Sequence, residues 1–307
     1  MSAIRKHSTA GYDHVYQITA DRGICFYTTA DCIVWFTLLC VLARRHHIRI
    51  LSVCIMLNHF HIQLKAPSAI ALSAFMRDLT ALFTRLYNRK YGVNGSLFGG
   101  QFKNSAKQKG QKVRENYIYI CNNPVVKHAV PRAEQYRWNF LAYMHSSHPF
   151  SEGILPETSS GLLQQVLSIV RTRRDTNRPI DYLFFGGLYS RLDEREKRQV
   201  IDYIVSEYNV LDYETAEREW GDYEKICQVL STVAGSEYDI AEEKTPEDYR
   251  HYYRMIRLAA REGYDLSVMR LSGIGLDSLN RLACVFREEV GATRTELAKF
   301  LHAPFLR

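Results

Sequence analysis

Two histidines, His59 and His61, flank Phe60 in a segment where Phe60, Ile62 and Leu64 fall on alternate positions. On a strand, residues i and i+2 project to the same face, so both imidazoles point one way and Phe60 the other. Two converging neutral imidazoles are ready ligands for a divalent metal. Solvent-facing histidines on a sheet would show the same spacing, and the pair alone leaves both readings open. A second segment, Asn116-Tyr117-Ile118-Tyr119-Ile120-Cys121-Asn122-Asn123-Pro124-Val125, adds a different chemistry. If it is helical, Tyr119 and Asn123 lie one turn apart on one face. A phenol oxygen, which can act as a covalent nucleophile, would then address the same point in space as a carboxamide oxygen. The bland alternative makes Tyr119 a half-buried aromatic and Asn123 a helix-ending residue before proline.

The elements that would carry these residues follow from periodicity. Tyr12 to Ala20 alternates as a strand. Thr28 to His46 predicts a helix, capped by Thr28 or Thr29, with Val34, Trp35, Leu38, Leu39, Val41 and Leu42 on a broad apolar face. Ile48 to Leu57 and His59 to Lys65 suggest an antiparallel hairpin broken at Asn58. Ser68 to Tyr91 is a second long helix, Gln101 to Lys109 a basic strand or ordered loop, and Val113 to Asn122 a third helix stopped at Asn123-Pro124. The order β-α-β-β-α-β-α predicts an α+β fold, a ferredoxin-like antiparallel sheet with packed helices. Residues 1–145 form the expected first domain, and 146–161, rich in Ser, Pro, Gly and His, the linker. Residues 162–307 form a mainly α-helical C-terminal domain. Its helices are expected at Leu162 to Thr172, Asp193 to Tyr208, Asp212 to Val233, Pro246 to Glu262, Leu266 to Leu271, Gly275 to Val290 and Thr293 to Leu301. The last two have the spacing of a helix-turn-helix, which is also that of a plain helical hairpin.

Charge is unevenly spread. Residues 1–150 hold 19 Lys+Arg against 6 Asp+Glu, a balance of +13; the remainder holds 40 − 19 = 21 against 33 − 6 = 27, a balance of −6. A basic half of this kind is the footprint of a polyanion, most simply nucleic acid. The longest apolar run, Cys32 to Ala43, is too short for a membrane span and leads into Arg44 and Arg45, so a buried helix is expected and no membrane partner. The first ten residues have Arg5 and Lys6 but no apolar stretch behind them, so no signal peptide is expected. Seven cysteines without a CxxC pair point to reduced thiols and a cytoplasmic location.

In order along the chain, several segments resemble one family, the single-tyrosine HUH transposases of the insertion-sequence type, including the REP-associated tyrosine transposases. HUH denotes His, hydrophobic, His. The resemblance covers roughly Tyr12 to Val130. His14-Val15-Tyr16 resembles the opening strand. Met56-Leu57-Asn58-His59-Phe60-His61 resembles the Met-Pro-Asn-His-hydrophobic-His signature, with Leu57 in place of proline. Tyr87-Asn88-Arg89-Lys90-Tyr91-Gly92, Gly95-Ser96-Leu97-Phe98 and Gln101-Phe102-Lys103 resemble the stretch before the catalytic helix. Tyr119-Ile120-Cys121-Asn122-Asn123-Pro124-Val125 resembles the Tyr-Ile-x-x-Asn-Pro-Val of that helix, with Cys121 where histidine is frequent.

The resemblance implies a transposase that cleaves and rejoins single-stranded DNA through a 5′-phosphotyrosine. Tyr119 would be the nucleophile, and His59, His61 and Asn123 the ligands of Mg²⁺ or Mn²⁺. Tyr117 is the rival nucleophile, but it lies about 200° around the helix from Tyr119, so both cannot face one metal. The implied partner is single-stranded or hairpin DNA, and a homodimer is allowed. Arg85, Arg89, Lys90, Lys103, Lys107, Lys109, Lys112 and Arg114 are the expected DNA-binding residues. The competing expectations are a DNA-binding protein that has lost its chemistry and a metal-dependent phosphodiester hydrolase with no covalent step.

Overall fold

The computed structural model describes residues 11–107, 110–155, 157, 159–232, 248–264, 266 and 274–303. Lys109, the helix expected at Leu266 to Leu271 and the first ten residues fall wholly or largely outside them.

Strand β1 (Tyr12–Ile18) leads to helix α1 (Thr29–Arg45), then to the hairpin of β2 (Arg49–Ile55) and β3 (His59–Lys65). Helix α2 (Ala69–Tyr91), strand β4 (Lys103–Lys107) and helix α3 (Gln111–Val126) follow. The sheet order is β2-β3-β1-β4, and each neighbouring pair is antiparallel. This is the ferredoxin-like arrangement expected from element order.

The layers follow from which face each strand makes apolar. Phe60, Ile62 and Leu64 of β3 join α1 and α2 in one hydrophobic cluster. Helix α1 starts with a reciprocal capping box between Thr28 and Asp31 and is buried from Ala30 to Ala43, as its continuous apolar run requires. Helix α3 covers the other face. It continues one turn beyond the expected stop, with Pro124 inside its last turn. There the proline forfeits one backbone bond, and Lys127 N–H still donates to the Asn123 carbonyl at 3.0 Å.

Helices α4 (Gly161–Asp175), α5 (Tyr182–Gly186) and α6 (Glu194–Tyr208) come next. Leu163, Val166, Val170, Val200, Ile204 and Tyr208 share the hydrophobic cluster of α1 and α2. The core therefore runs unbroken across the expected linker, and a chain ended at residue 150 would leave this face of α1 uncovered. The single helix expected from Asp212 to Val233 is two, α7 (Tyr213–Trp220) and α8 (Tyr223–Thr232). Gly221 between them has φ of 100°, outside the helical region. Helices α9 (Tyr249–Arg261), α10 (Leu276–Val290) and α11 (Arg294–Leu301) form a second cluster with Ile24, Tyr27, Met56 and Leu57. From Leu297 to Leu301 α11 is buried, leaving Thr293 to Thr295 as its exposed end. No described helix is long and apolar enough to cross a membrane.

Candidate active site

The face of the sheet opposite α1 and α2 is polar. Register places His61 beside Tyr16 of β1 and Cys54 of β2, and His14 beside Gln63. A buried amide ties this face to the start of α3. Gln63 Nε2 donates to the Val113 carbonyl at 2.9 Å, and the Ser52 hydroxyl donates to Gln63 Oε1 at 3.2 Å.

So anchored, α3 turns Tyr119 and Asn123 toward the histidines. The half-buried Tyr119 ring meets His61 edge-on at 5.6 Å between centroids, and His14 at 5.8 Å. The Asn123 amide lies 3.3 Å from His61 Nε2. Tyr117 points elsewhere. It is buried, and its ring lies 4.5 Å from that of Trp220 in α7. Helix phase thus separates the two tyrosines, and only Tyr119 of the pair stands among the histidines.

A buried polar atom without a partner forfeits roughly 1–3 kcal/mol, so such atoms are uncommon and informative. His59 Nε2 and Asn123 Oδ1 are both buried and have no hydrogen-bond partner. Together with His61 Nε2 they make a nitrogen, nitrogen, oxygen donor set suited to a divalent ion. Among the described residues, no group of three or more His, Cys, Asp or Glu side chains could hold a metal. An amide has to complete any such site.

The outer nitrogens of the two imidazoles are engaged. His59 Nδ1 lies 2.7 Å from Asn58 Oδ1, and His61 Nδ1 lies 2.9 Å from His14 Nε2. His14 Nδ1 in turn lies 2.9 Å from the Asn116 amide. A half-turn of that amide exchanges its oxygen and nitrogen. With the oxygen toward His14, Asn116 Oδ1 accepts from His14 Nδ1–H and His14 Nε2 accepts from His61 Nδ1–H. The same rotation gives a donor to Asn116 Oδ1, which is otherwise without one. Both proposed ligand histidines then present an unprotonated Nε2 to the same space.

Electrostatics favour the neutral rings. Burial holds the His59 and His61 pKa values well below the ordinary histidine range. For His59 the next causes are His61, Lys127 and Arg22; for His61 they are His14 and Lys127. Burial and then the Lys107 ammonium lower His14 to about 3.

The sequence reading missed His14, Asn58, Asn116 and Lys127. His14 had a weak signal, since it alternates with Tyr16 on β1. Its meeting with His61 depends on strand register, which no local pattern reveals. The basic residues divide between layers. Lys103 and Lys107 stand opposite Tyr16 and Tyr12 in the β1–β4 register, hence on the histidine face. Lys112 and Arg114 are exposed at the start of α3. Arg85, Arg89 and Lys90 ride on α2, across the sheet from the histidines. Lys107 is buried beside His14, so its ammonium acts on the interior of the site and is not part of an exposed binding surface.

Comparison with known proteins bears on this arrangement. Residues 11–119 match the family described as "Transposase IS200 like". No curated protein matches the chain. A solved structure of a REP-associated tyrosine transposase bound to a REP hairpin is similar at 19% identity, over 45% of this chain and 81% of that one, with a TM-score of 0.38. The family match includes both ligand-type histidines and ends on Tyr119.

Proposed function

We propose, taking residues 11–119 as an IS200-like transposase domain, that this protein is a metal-dependent DNA strand transferase with Tyr119 as nucleophile. The observation that carries this reading is the Tyr119 ring standing against His61 in a group where His59 Nε2 and Asn123 Oδ1 are buried without a hydrogen-bond partner. The substrate is single-stranded DNA, or a hairpin with single-stranded flanks, because an in-line attack needs open access to one strand.

The Tyr119 oxygen attacks a backbone phosphorus while its proton passes to solvent. The bond from phosphorus to the 3′ oxygen breaks, and that oxygen takes up a proton to leave as a 3′-hydroxyl. The product is a 5′-phosphotyrosine. Attack by another 3′-hydroxyl on the same phosphorus reverses these changes and joins the new strand, with no external energy source. His59, His61 and Asn123 would hold a divalent ion, which when bound supplies neutralising charge to the anionic phosphate oxygens. An imidazole-rich set favours Mn²⁺ over Mg²⁺, which prefers oxygen. Lys103, Lys112 and Arg114 supply backbone attraction on the same layer, and Lys127 and Arg22 add positive charge close to His59.

Incubation with labelled single-stranded DNA from the flanks of the gene, with Mn²⁺, followed by a denaturing gel, tests the reading. A band of DNA bound covalently to protein, absent with Tyr119→Phe, is expected. Cleavage without an adduct would assign the protein as a hydrolase, and binding without cleavage as a DNA-binding protein.

A further inference from the structure

Helix α9 lies far outside residues 11–119, yet its first residue reaches the metal-facing pair. Tyr249 is fully buried, and its hydroxyl donates to Asn58 Oδ1 at 3.0 Å. The same oxygen lies 2.7 Å from His59 Nδ1. Asn58 cannot be turned over without loss, because its Nδ2 donates to the Arg22 carbonyl at 3.1 Å. With Oδ1 held toward both groups, His59 Nδ1 must carry the proton, and Nε2 is left with its lone pair.

The start of α9 is tied to the other ligand-bearing element as well. Tyr249 N–H donates to the Lys127 carbonyl at 2.8 Å, and Lys127 N–H donates to the Asn123 carbonyl at 3.0 Å. One residue therefore bonds to the chain beside His59 and to the chain beside Asn123. Two elements brought together only by the tertiary fold, β3 and α3, are clasped by a third.

We propose that Tyr249 is a positioning residue for the metal centre: it orients Asn58 and so fixes His59 in the Nδ1–H form with Nε2 available, making the C-terminal helices part of the site. The proposal rests on the reading of His59, His61 and Asn123 as ligands. Outer partners of ligand histidines fix tautomer and ring orientation, and losing one typically weakens metal binding about 10- to 100-fold. Tyr249 is one bond further out, so the lower end of that range applies.

Mn²⁺ titration of the full chain by calorimetry tests it without recourse to DNA cleavage. Tyr249→Phe removes one oxygen and keeps the ring packing; its Mn²⁺ Kd should rise about tenfold with a melting temperature near that of the unaltered protein. Tyr253→Phe removes another hydroxyl from α9, one that bonds to Tyr136, and should leave Kd unchanged. His59→Ala should abolish the binding. If His59→Ala loses Mn²⁺ while Tyr249→Phe keeps full affinity, the positioning role is overturned and the ligand assignment stands. If His59→Ala binds as tightly as the unaltered protein, the ligand assignment itself fails. Should Tyr249→Phe not fold, nitrogen NMR of the metal-free protein decides. His59 is expected in the Nδ1–H form, and the Nε2–H form would overturn the proposal.

Discussion

Asp202 on α6 and the His59–His61–Asn123 group are both buried polar clusters, and they treat their polar atoms in opposite ways. Asp202 accepts from Arg137 Nη1, from the Tyr143 hydroxyl at 2.7 Å, from the Phe150 backbone N–H at 2.9 Å and from the Ser151 hydroxyl at 2.8 Å. Its negative charge meets a guanidinium and three further donors, leaving neither oxygen without a partner. Such a cluster pins the segment 137–151 to α6. Around the histidines the outer nitrogens are satisfied, while His59 Nε2 and Asn123 Oδ1 have no hydrogen-bond partner. The difference separates a polar centre that holds the chain together from one that, on the proposed reading, would take a divalent ion.

The sharpest way to break this comparison is at Tyr119. Tyr119→Phe keeps the ring against His61, so folding and DNA binding should persist while cleavage and the covalent adduct fall to background. Tyr117→Phe, altering a ring packed against Trp220, should retain cleavage; the opposite pattern on the gel would exchange the two roles. Next come the clusters themselves. His59→Ala or His61→Ala should abolish cleavage with little loss of stability. Asp202→Ala should cost about 2–3 kcal/mol in denaturant unfolding by taking the acceptor from a half-buried guanidinium and three further donors, yet leave Mn²⁺ affinity intact in the folded protein. Equal destabilisation by the histidine variants would erase the distinction. A smaller effect is expected from Asn123→Ala, a Mn²⁺ Kd raised about tenfold or more. Smallest is Lys103→Ala, which should weaken single-stranded DNA binding alike across sequences and lower the salt slope by about 1. An unchanged slope would remove Lys103 from the interface.

Much of this was readable from residue order. Alternation in His59 to Lys65 was enough to put both imidazoles on one face, and the three-to-four spacing of apolar residues from Leu72 to Leu86 was enough for α2. The Tyr119–Asn123 spacing placed both on one helix face, and the structure sets that face against the histidines. What could not be read depends on separations that periodicity does not span. His14 meets His61 across 47 residues, and Tyr249 meets Asn58 across 191. Lys107 was misplaced for a related reason. Counting charge along a segment says nothing about which side chain of an edge strand turns inward. Helix α3 runs past Asn123 although Pro124 forfeits a backbone bond there, and the turn is closed by Lys127 N–H donating to the Asn123 carbonyl.

Strand β4 gives one of these details a wider bearing. It lies at the edge of the sheet and reads Lys-Asn-Ser-Ala-Lys, without a single large apolar residue. An edge strand offers its backbone to any passing strand, and lysines with short polar residues are a common deterrent to that pairing. The exposed Lys103 proposed to attract DNA therefore also guards against self-association. A variant that neutralises Lys103 to weaken DNA binding would make β4 stickier toward a second copy, so colloidal behaviour and nucleic-acid affinity would change together. Reversing the charge with Lys103→Glu would separate them, since repulsion between edges survives while attraction to phosphate does not.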